Sequence, residues 1–404
     1  VSLFSYFRPK DIPSALPTAQ HRFDLNLVRE VAQHGSGNFT VSPLGVLAAL
    51  SLAMNGAGGT THQEFGNVLF GSLGDASGAV AAVAAWLRQL LTKDARESAE
   101  LTLATSLWAN QHFTLAPAFI EQAHALYEAE AGTLDFTTAE AASTINNWVR
   151  EHTQGRIPTM VEAQALMNAP PAVLLLNAVY FRAKWDSPFY EGNTRPGPFR
   201  LADGRQQEAQ LMHQVSAHFG YLAGQGWQAV SLPYFGYPSR FAMLVFVPHA
   251  PSGLPAFLTA LNATTWAQWL PSFSERDELE VDLTLPRFRV EWEADLVPVL
   301  DAMGLRAAFA RGADFAPMGF RAEDGGGFVS AVLHKTFLEV DEEGTEAAAA
   351  TAVLMMAGGA PPTPKRRVEV KVDSPFFYAI VDQQDGAVVF AGTVNELVSD
   401  GARP

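Results

Sequence analysis

The chain contains no cysteine, which excludes disulfide staples, thiolate nucleophiles and cysteine-held metals. The redox compartment therefore leaves no mark on it. Basic residues are scarce: 27 Lys plus Arg stand against 42 Asp plus Glu, for a formal net charge of −15. Nucleic acids and anionic membranes both select clustered positive charge. The basic run Lys365-Arg366-Arg367 is too short for such a footprint. No apolar run approaches the roughly 20 residues of a membrane-crossing helix. Neither nucleic acid nor membrane is expected as a partner. The sequence opens at Val1 without Met and without a charged-then-apolar leader, as expected of a mature or trimmed form.

Catalytic motifs are missing too. His34-Gly35-Ser36-Gly37-Asn38 lacks the spacing of a nucleophile elbow. Asn55 to Thr61, "NGAGGTT", is glycine-rich but has no Lys before its Thr pair, so it cannot cradle phosphates as a P-loop does. No metal-binding or dinucleotide-binding fingerprint occurs, and the ten His are scattered. The expectation is a protein that is not an enzyme and holds no metal or cofactor.

What remains is a large apolar fraction, 48% of 404 residues, enough for a sizeable core. Phe23, Leu27, Val28 and Val31 fall at helical spacing. Ser42 and Pro43 read as the cap and first turn of a helix that is apolar nearly all round, ended by Gly56. Ile145, Trp148, Val149 and His152 share a helical face. "AVLLLNAVYFRAKW" is a continuous apolar run, as in a strand covered on both faces. Further strand patterns fill the C-terminal half. Helices mostly first and strands later describe an α+β fold with large, mostly antiparallel sheets.

One stretch fits no core. From Asp341 it runs "DEEGTEAAAATAVLMMAGGAPPTPKRR" to Arg367. Read as a helix it has no charged face to keep it soluble. Read as a strand, Thr345, Ala347, Ala349, Thr351, Val353 and Met355 share one face, all small or uncharged. Alanine is a poor strand residue, but low bulk suits a segment that must enter a packed place late.

Taken together, these segments resemble the serpin family. Glu342 to Val353, "EEGTEAAAATAV", is similar to the hinge of an inhibitory serpin's reactive-centre loop. "NFTVSPLGVLAALSLAMNGAGGTTHQEF", "INNWVREHTQGRI", "LLNAVYFRAKWDSPF" and "SPFFYAIVDQQDGAVVFAGTV" resemble four further family segments in the right order. The likeness runs from about residue 20 to 397. It implies three mostly antiparallel sheets, eight or nine helices and one domain over 1–404. The exposed loop then spans about 342–367, followed by a short tail, 398–404. It also implies suicide inhibition of serine proteases: cleavage of the loop, an acyl-enzyme, and insertion of the loop into the main sheet. A prokaryotic source, a monomer and an extracellular or periplasmic setting are expected, with the cytoplasm as the alternative.

The resemblance assigns residues individually. The hinge is Glu342, Gly344, Thr345, Glu346, Ala347, Ala348, Ala349, Ala350 and Thr351. The "shutter", where the main-sheet strands part, matches Ser42, Asn177 and His334, with a His334–Asn177 bond expected. Gly45 departs from the family's usual second serine there, so a hydroxyl is missing from that network. The "breach", where insertion begins, matches Trp185, Arg287 and Glu342, with an Arg287–Glu342 ion pair. The usual loop length, counted from Glu342, puts the reactive bond at Gly358–Gly359, with Met356 and Ala357 as alternative residues before the cut. These point to an elastase-, subtilisin- or chymotrypsin-like target. Cleavage at Lys365 to Arg367 would leave a loop too long to insert promptly. No basic face accompanies "LRQLLTKDARESAE", so glycosaminoglycan is not expected as a partner. The competing reading is a non-inhibitory serpin that carries, chaperones or stores.

Overall fold

Helix α1 (Leu16–His34) buries Phe23, Leu27, Val28 and Val31 in one stripe. Helix α2 (Pro43–Asn55) is capped by the Ser42 side chain and stopped at Gly56, and every residue except Asn55 is buried. A helix apolar on all sides has no solvent face to offer, so it becomes the central post of the core. The computed structural model describes residues 16–35, 37–71, 76–91, 99–273, 279–320, 326–345 and 365–398.

The other helices are α3 (Gly59–Phe70), α4 (Ala76–Leu91), α5 (Pro117–Tyr127), α6 (Ala139–His152), α7 (Ala163–Asn168), α8 (Leu254–Ala260), α9 (Ala263–Ser272) and α10 (Val297–Ala302). That makes ten α-helices among the described residues, more than the eight or nine implied by the resemblance. Helices α7, α8 and α10 have six or seven residues each, too few to leave a periodic trace in sequence.

The strands form three sheets. The main sheet runs β11 (Phe288–Asp295), β12 (Val329–Val340), β13 (Gly344–Thr345), β4 (Val173–Lys184), β2 (Glu100–Asn110), β3 (Glu130–Leu134). A second runs β1 (Phe39–Val41), β16 (Val388–Val394), β15 (Phe376–Asp382), β9 (Phe241–Pro248), β8 (Trp227–Pro233), β7 (Gly220–Gly224). A third runs β14 (Arg366–Lys371), β10 (Leu279–Pro286), β6 (Gln206–Ser216), β5 (Arg195–Arg200). Ladders β12–β4, β2–β3 and β10–β14 are parallel, and the other ladders between these strands are antiparallel.

Two strand-like runs divide between sheets. At Pro286-Arg287 the chain leaves the third sheet as β10 and enters the main sheet as β11. Between Lys371 and Phe376 it passes from β14 to β15 in the second sheet. Proline gives β10 no further N–H to donate, and the next backbone N–H, that of Arg287, donates to Gln210 O instead. The break places Arg287 at one end of the main sheet.

Strand β4 is covered on both faces, as its unbroken apolar run requires. Leu174 and Leu176 pack with Ile145 of α6, while Leu175 and Val179 join the core around α2. Residues of odd number in β4 therefore face α2, and those of even number face α6.

Candidate functional site

The site lies where β12 and β4 meet. From Val329↔Val173 to Phe337↔Tyr180 the two strands pair directly and in parallel. Beyond Phe337 they part, and the chain turns back into the fork. There Thr345 pairs antiparallel with Val340 on one side and Ala183 on the other. The turn is held by Asp341, whose Oδ1 accepts from the N–H groups of Glu343 and Gly344. A Cβ on Gly344 would lie 2.0 Å from the carbonyl oxygen of Ala183, so only glycine passes this point.

The three breach residues come together around this turn. Arg287 donates from Nε to both carboxylate oxygens of Glu342, at 2.9 and 2.8 Å, and from an Nη to Oε1 at 2.7 Å. The Thr194 hydroxyl donates to the same oxygen. The Glu342 side chain is only 4% exposed, against 37% for Arg287. Burial pushes the Glu342 carboxyl up, but its hydrogen bonds from Arg287 and Thr194 outweigh this and hold it below the usual carboxylate range. The pair is thus one-sided: the anion is sunk and the cation half-solvated. Removing the cation would strand a buried carboxylate, which costs more than losing a surface ion pair.

Trp185 supports the same turn. Its N–H donates to Glu343 O at 2.8 Å, and its indole Nε1 donates to Asp341 O at 3.0 Å. Its ring stacks on Tyr234, centroids 4.6 Å apart and planes 13° from parallel. The Tyr234 hydroxyl is hydrogen-bonded to the Thr345 hydroxyl at 2.7 Å. Tyr234 and Thr194 were not recognisable from the sequence: one ends a strand pattern, and the other lies in a polar loop.

The shutter residues also converge, but with different partners from those expected. His334 and Asn177 are register partners across β12 and β4, yet their side chains do not bond each other. His334 Nε2 accepts from the Ser42 N–H at 3.0 Å, and Asn177 Nδ2 donates to Thr105 Oγ1 at 3.1 Å. An accepting Nε2 fixes the neutral ring with its proton on Nδ1. Burial lowers the ring's pKa to about 3, offset in part by the main-chain carbonyl of Asn177. That carbonyl acts as a nearby dipole, because Nδ1 closes no hydrogen bond. The Ser42 hydroxyl donates to Val389 O at 2.6 Å and accepts from Gly45 N at 3.1 Å.

Gly45 is more than a missing hydroxyl. A Cβ there would lie 2.3 Å from Asn177 Oδ1 and 2.6 Å from Val179 Cγ2. The Asn177 amide fills the space that a serine side chain would need. Its Oδ1, like His334 Nδ1, is buried without a partner.

The hinge residues Glu346, Ala347, Ala348, Ala349, Ala350 and Thr351 lie outside the described residues, as do the reactive-bond candidates Met356, Ala357, Gly358 and Gly359. The far end of the stretch is placed. Arg366 and Arg367 belong to β14 and pair with Leu279 and Glu280.

The family described as "Serpin (serine protease inhibitor)" matches residues 18–397. The bovine leukocyte elastase inhibitor is 31% identical over 94% of this chain and 99% of its own length. Rice putative serpin-Z5 is 33% identical over 92% of this chain and 87% of its own. Among solved structures, Serpin48 of the insect Tenebrio molitor has a TM-score of 0.82 and 27% identity, covering 97% of this chain and all of that one. Human thyroxine-binding globulin, solved with its hormone, is 23% identical with a TM-score of 0.82 over 95% of this chain, a likeness of fold alone. These relatives come from plants and animals and give the expected prokaryotic source no support. A family match over nearly the whole chain, full-length relatives and a hinge seated in the main sheet lead to one conclusion: the chain belongs to the serpin family.

Proposed function

We propose that this serpin is a suicide inhibitor of serine proteases, acting as a monomer outside the cytoplasm. One observation carries the reading: Gly344 and Thr345 already stand as a short antiparallel strand between β12 and β4. After cleavage of the loop, the chain beyond Thr345 continues into the sheet as a full strand. The protease, esterified to the residue before the cut, is carried along with it.

The register supplies a length. Thr345 faces Ala183. Carried residue by residue down β4, the register sets Met355 opposite Val173, the first residue of that strand. A strand from Thr345 to Met355 therefore fills the sheet, about 35 Å at strand rise. Cleavage at Gly358–Gly359, or after Met356 or Ala357, leaves the acylated residue just past the end of the sheet. Cleavage beside Arg366 leaves about ten residues of slack and requires drawing β14 off β10. The favoured targets are elastase-, subtilisin- or chymotrypsin-like.

The register also supplies chemistry. Ala183, Asn177, Val340 and His334 face the α2 side, so Thr345, Ala347, Ala349, Thr351, Val353 and Met355 take that side on insertion. Thr351 arrives between Asn177 and His334. A threonine hydroxyl both donates and accepts. It can donate to Asn177 Oδ1 and accept from His334 Nδ1–H, the two atoms left without partners in the uncleaved chain.

The test is incubation with a panel of serine proteases. A denaturation-resistant complex, with a released C-terminal peptide, supports inhibition. Cleavage by every protease without such a complex overturns it and favours the carrier reading, which the fold likeness to thyroxine-binding globulin keeps in view.

A further inference from the structure

Tyr234 meets the inserting segment at its first residue. Its ring is buried, stacked on Trp185 and set edge-on to Phe181 at 5.1 Å. Its backbone is fixed twice: its N–H donates to Phe241 O, and Tyr234 pairs with Trp185 as an isolated bridge. The phenol is therefore held rigidly, with one direction for its hydroxyl. That direction ends on Thr345 Oγ1 at 2.7 Å, and Thr345 is fully buried. Two hydroxyls facing each other out of water exclude competing solvent and leave each the other's only protein partner among the described contacts.

We propose that Tyr234 is a positioning residue for insertion: its hydroxyl is a catch that recognises a hydroxyl side chain at Thr345. The catch keeps the hinge seated between β12 and β4 before any protease arrives. Every insertion then starts from a strand already in register instead of from an empty sheet. The consequence for inhibition rests on the inhibitory reading, but the catch itself does not.

The chemistry explains why both partners must carry oxygen. With Phe at 234, the Thr345 hydroxyl stays buried without a partner. With Val at 345, the phenol does. Either loss favours withdrawal of the hinge into water, where the orphaned group is solvated. Removing both hydroxyls leaves two apolar groups of nearly the same shape in contact, and little reason to leave.

The experiment measures amide hydrogen exchange at Gly344 and Thr345 in the free, uncleaved protein. It compares the parent, Tyr234→Phe, Thr345→Val and the double variant. Tyr234→Phe keeps the ring and its stacking, so folding is preserved. The exchange of the β12–β4 pairs below Phe337 serves as an internal control. Each single change is expected to speed exchange at the two hinge amides about tenfold, with the control amides unchanged. The double variant is expected to exchange no faster than either single one. Hinge exchange in Tyr234→Phe within about twofold of the parent would overturn the catch. So would a double variant whose effect is the product of the two single effects, because independent hydroxyls multiply and a coupled pair does not. With a protease that the parent traps, Tyr234→Phe should raise the number of inhibitor molecules consumed per protease while leaving the rate of first cleavage unchanged. A parent that traps no protease sinks the inhibitory reading, and the exchange result still decides the catch.

Discussion

Acid should open this sheet through one buried ring. His334 is held neutral, with its pKa lowered by burial from 6.5 to about 3. In the unfolded chain the same ring titrates near 6.5. Between these pH values the unfolded chain binds a proton that the folded chain refuses. The stabilisation by neutral His334 is therefore complete above pH ~6.5 and is lost as the pH falls toward about 3. Each pH unit in that window costs about 1.4 kcal/mol, so pH 5 costs about 2 kcal/mol relative to pH 7.5. The buried carboxyls of Asp24, Asp382 and Asp385 are pushed up by burial and respond in the opposite sense. Comparison with His334→Asn cancels them, since Asn can accept from the Ser42 N–H but does not titrate. Chemical unfolding midpoints of both proteins, measured from pH 7.5 to 5, give the difference. The parent's advantage over the variant should shrink by about 2 kcal/mol across that range. A constant difference would show that the ring does not resist protonation and would refute the reasoning.

Four further outcomes follow from the same geometry. Thr345→Arg places a guanidinium where Thr345 is fully buried, beside a Glu342 already paired with Arg287. An unpaired buried charge costing about 3 kcal/mol slows insertion more than a hundredfold, so the stoichiometry of inhibition should rise steeply while Thr345→Ala stays near the parent; equal trapping by Thr345→Arg would refute the hinge assignment. Gly45→Ser drives a Cβ against Asn177 Oδ1 and should lower stability by about 1–3 kcal/mol; a higher unfolding midpoint would mean that Asn177 turns to take the new hydroxyl. Thr351→Val should leave the uncleaved protein's melting unchanged but weaken the loop-cleaved, inserted form by about 1–3 kcal/mol, read from its guanidinium midpoint. The peptide released from a covalent complex should begin at Gly359 or within two residues of it, and a mass beginning at Arg366 or Arg367 would refute the register count.

The elements legible in the sequence were those whose periodicity expresses burial. Helix α2 and strand β4 are apolar on every side because each is covered on every side, and both were readable without coordinates. The breach and the shutter were legible only by resemblance, because their residues are far apart in the chain: Arg287 and Glu342 are 55 positions apart, and Ser42 and His334 are 292 apart. Resemblance named the residues but not every bond. His334 was expected to bond Asn177 and instead accepts from the Ser42 backbone, because Asn177 turns toward Thr105 and into the space above Gly45. Tyr234 and Thr194 carried no signal at all. A tyrosine ending a strand and a threonine in a loop are ordinary until the fold sets them against Thr345 and Glu342.

Strands β12 and β4 point the same way, and the turn after Val340 sends the chain back against both. The segment can therefore enter in one order only, from Thr345 downward, like a zip whose slider is fixed to one tape. Each step parts one rung of the parallel ladder and closes two antiparallel ones. A step backward must break two rungs to restore one. The bias toward completion thus grows with every residue gained, and no single large movement is needed. The eight paired positions from Val329 to Phe337 act as a ratchet. Its stiffest tooth is the polar rung His334↔Asn177, so a threonine that fits that rung matters more to the finish of the stroke than any alanine before it.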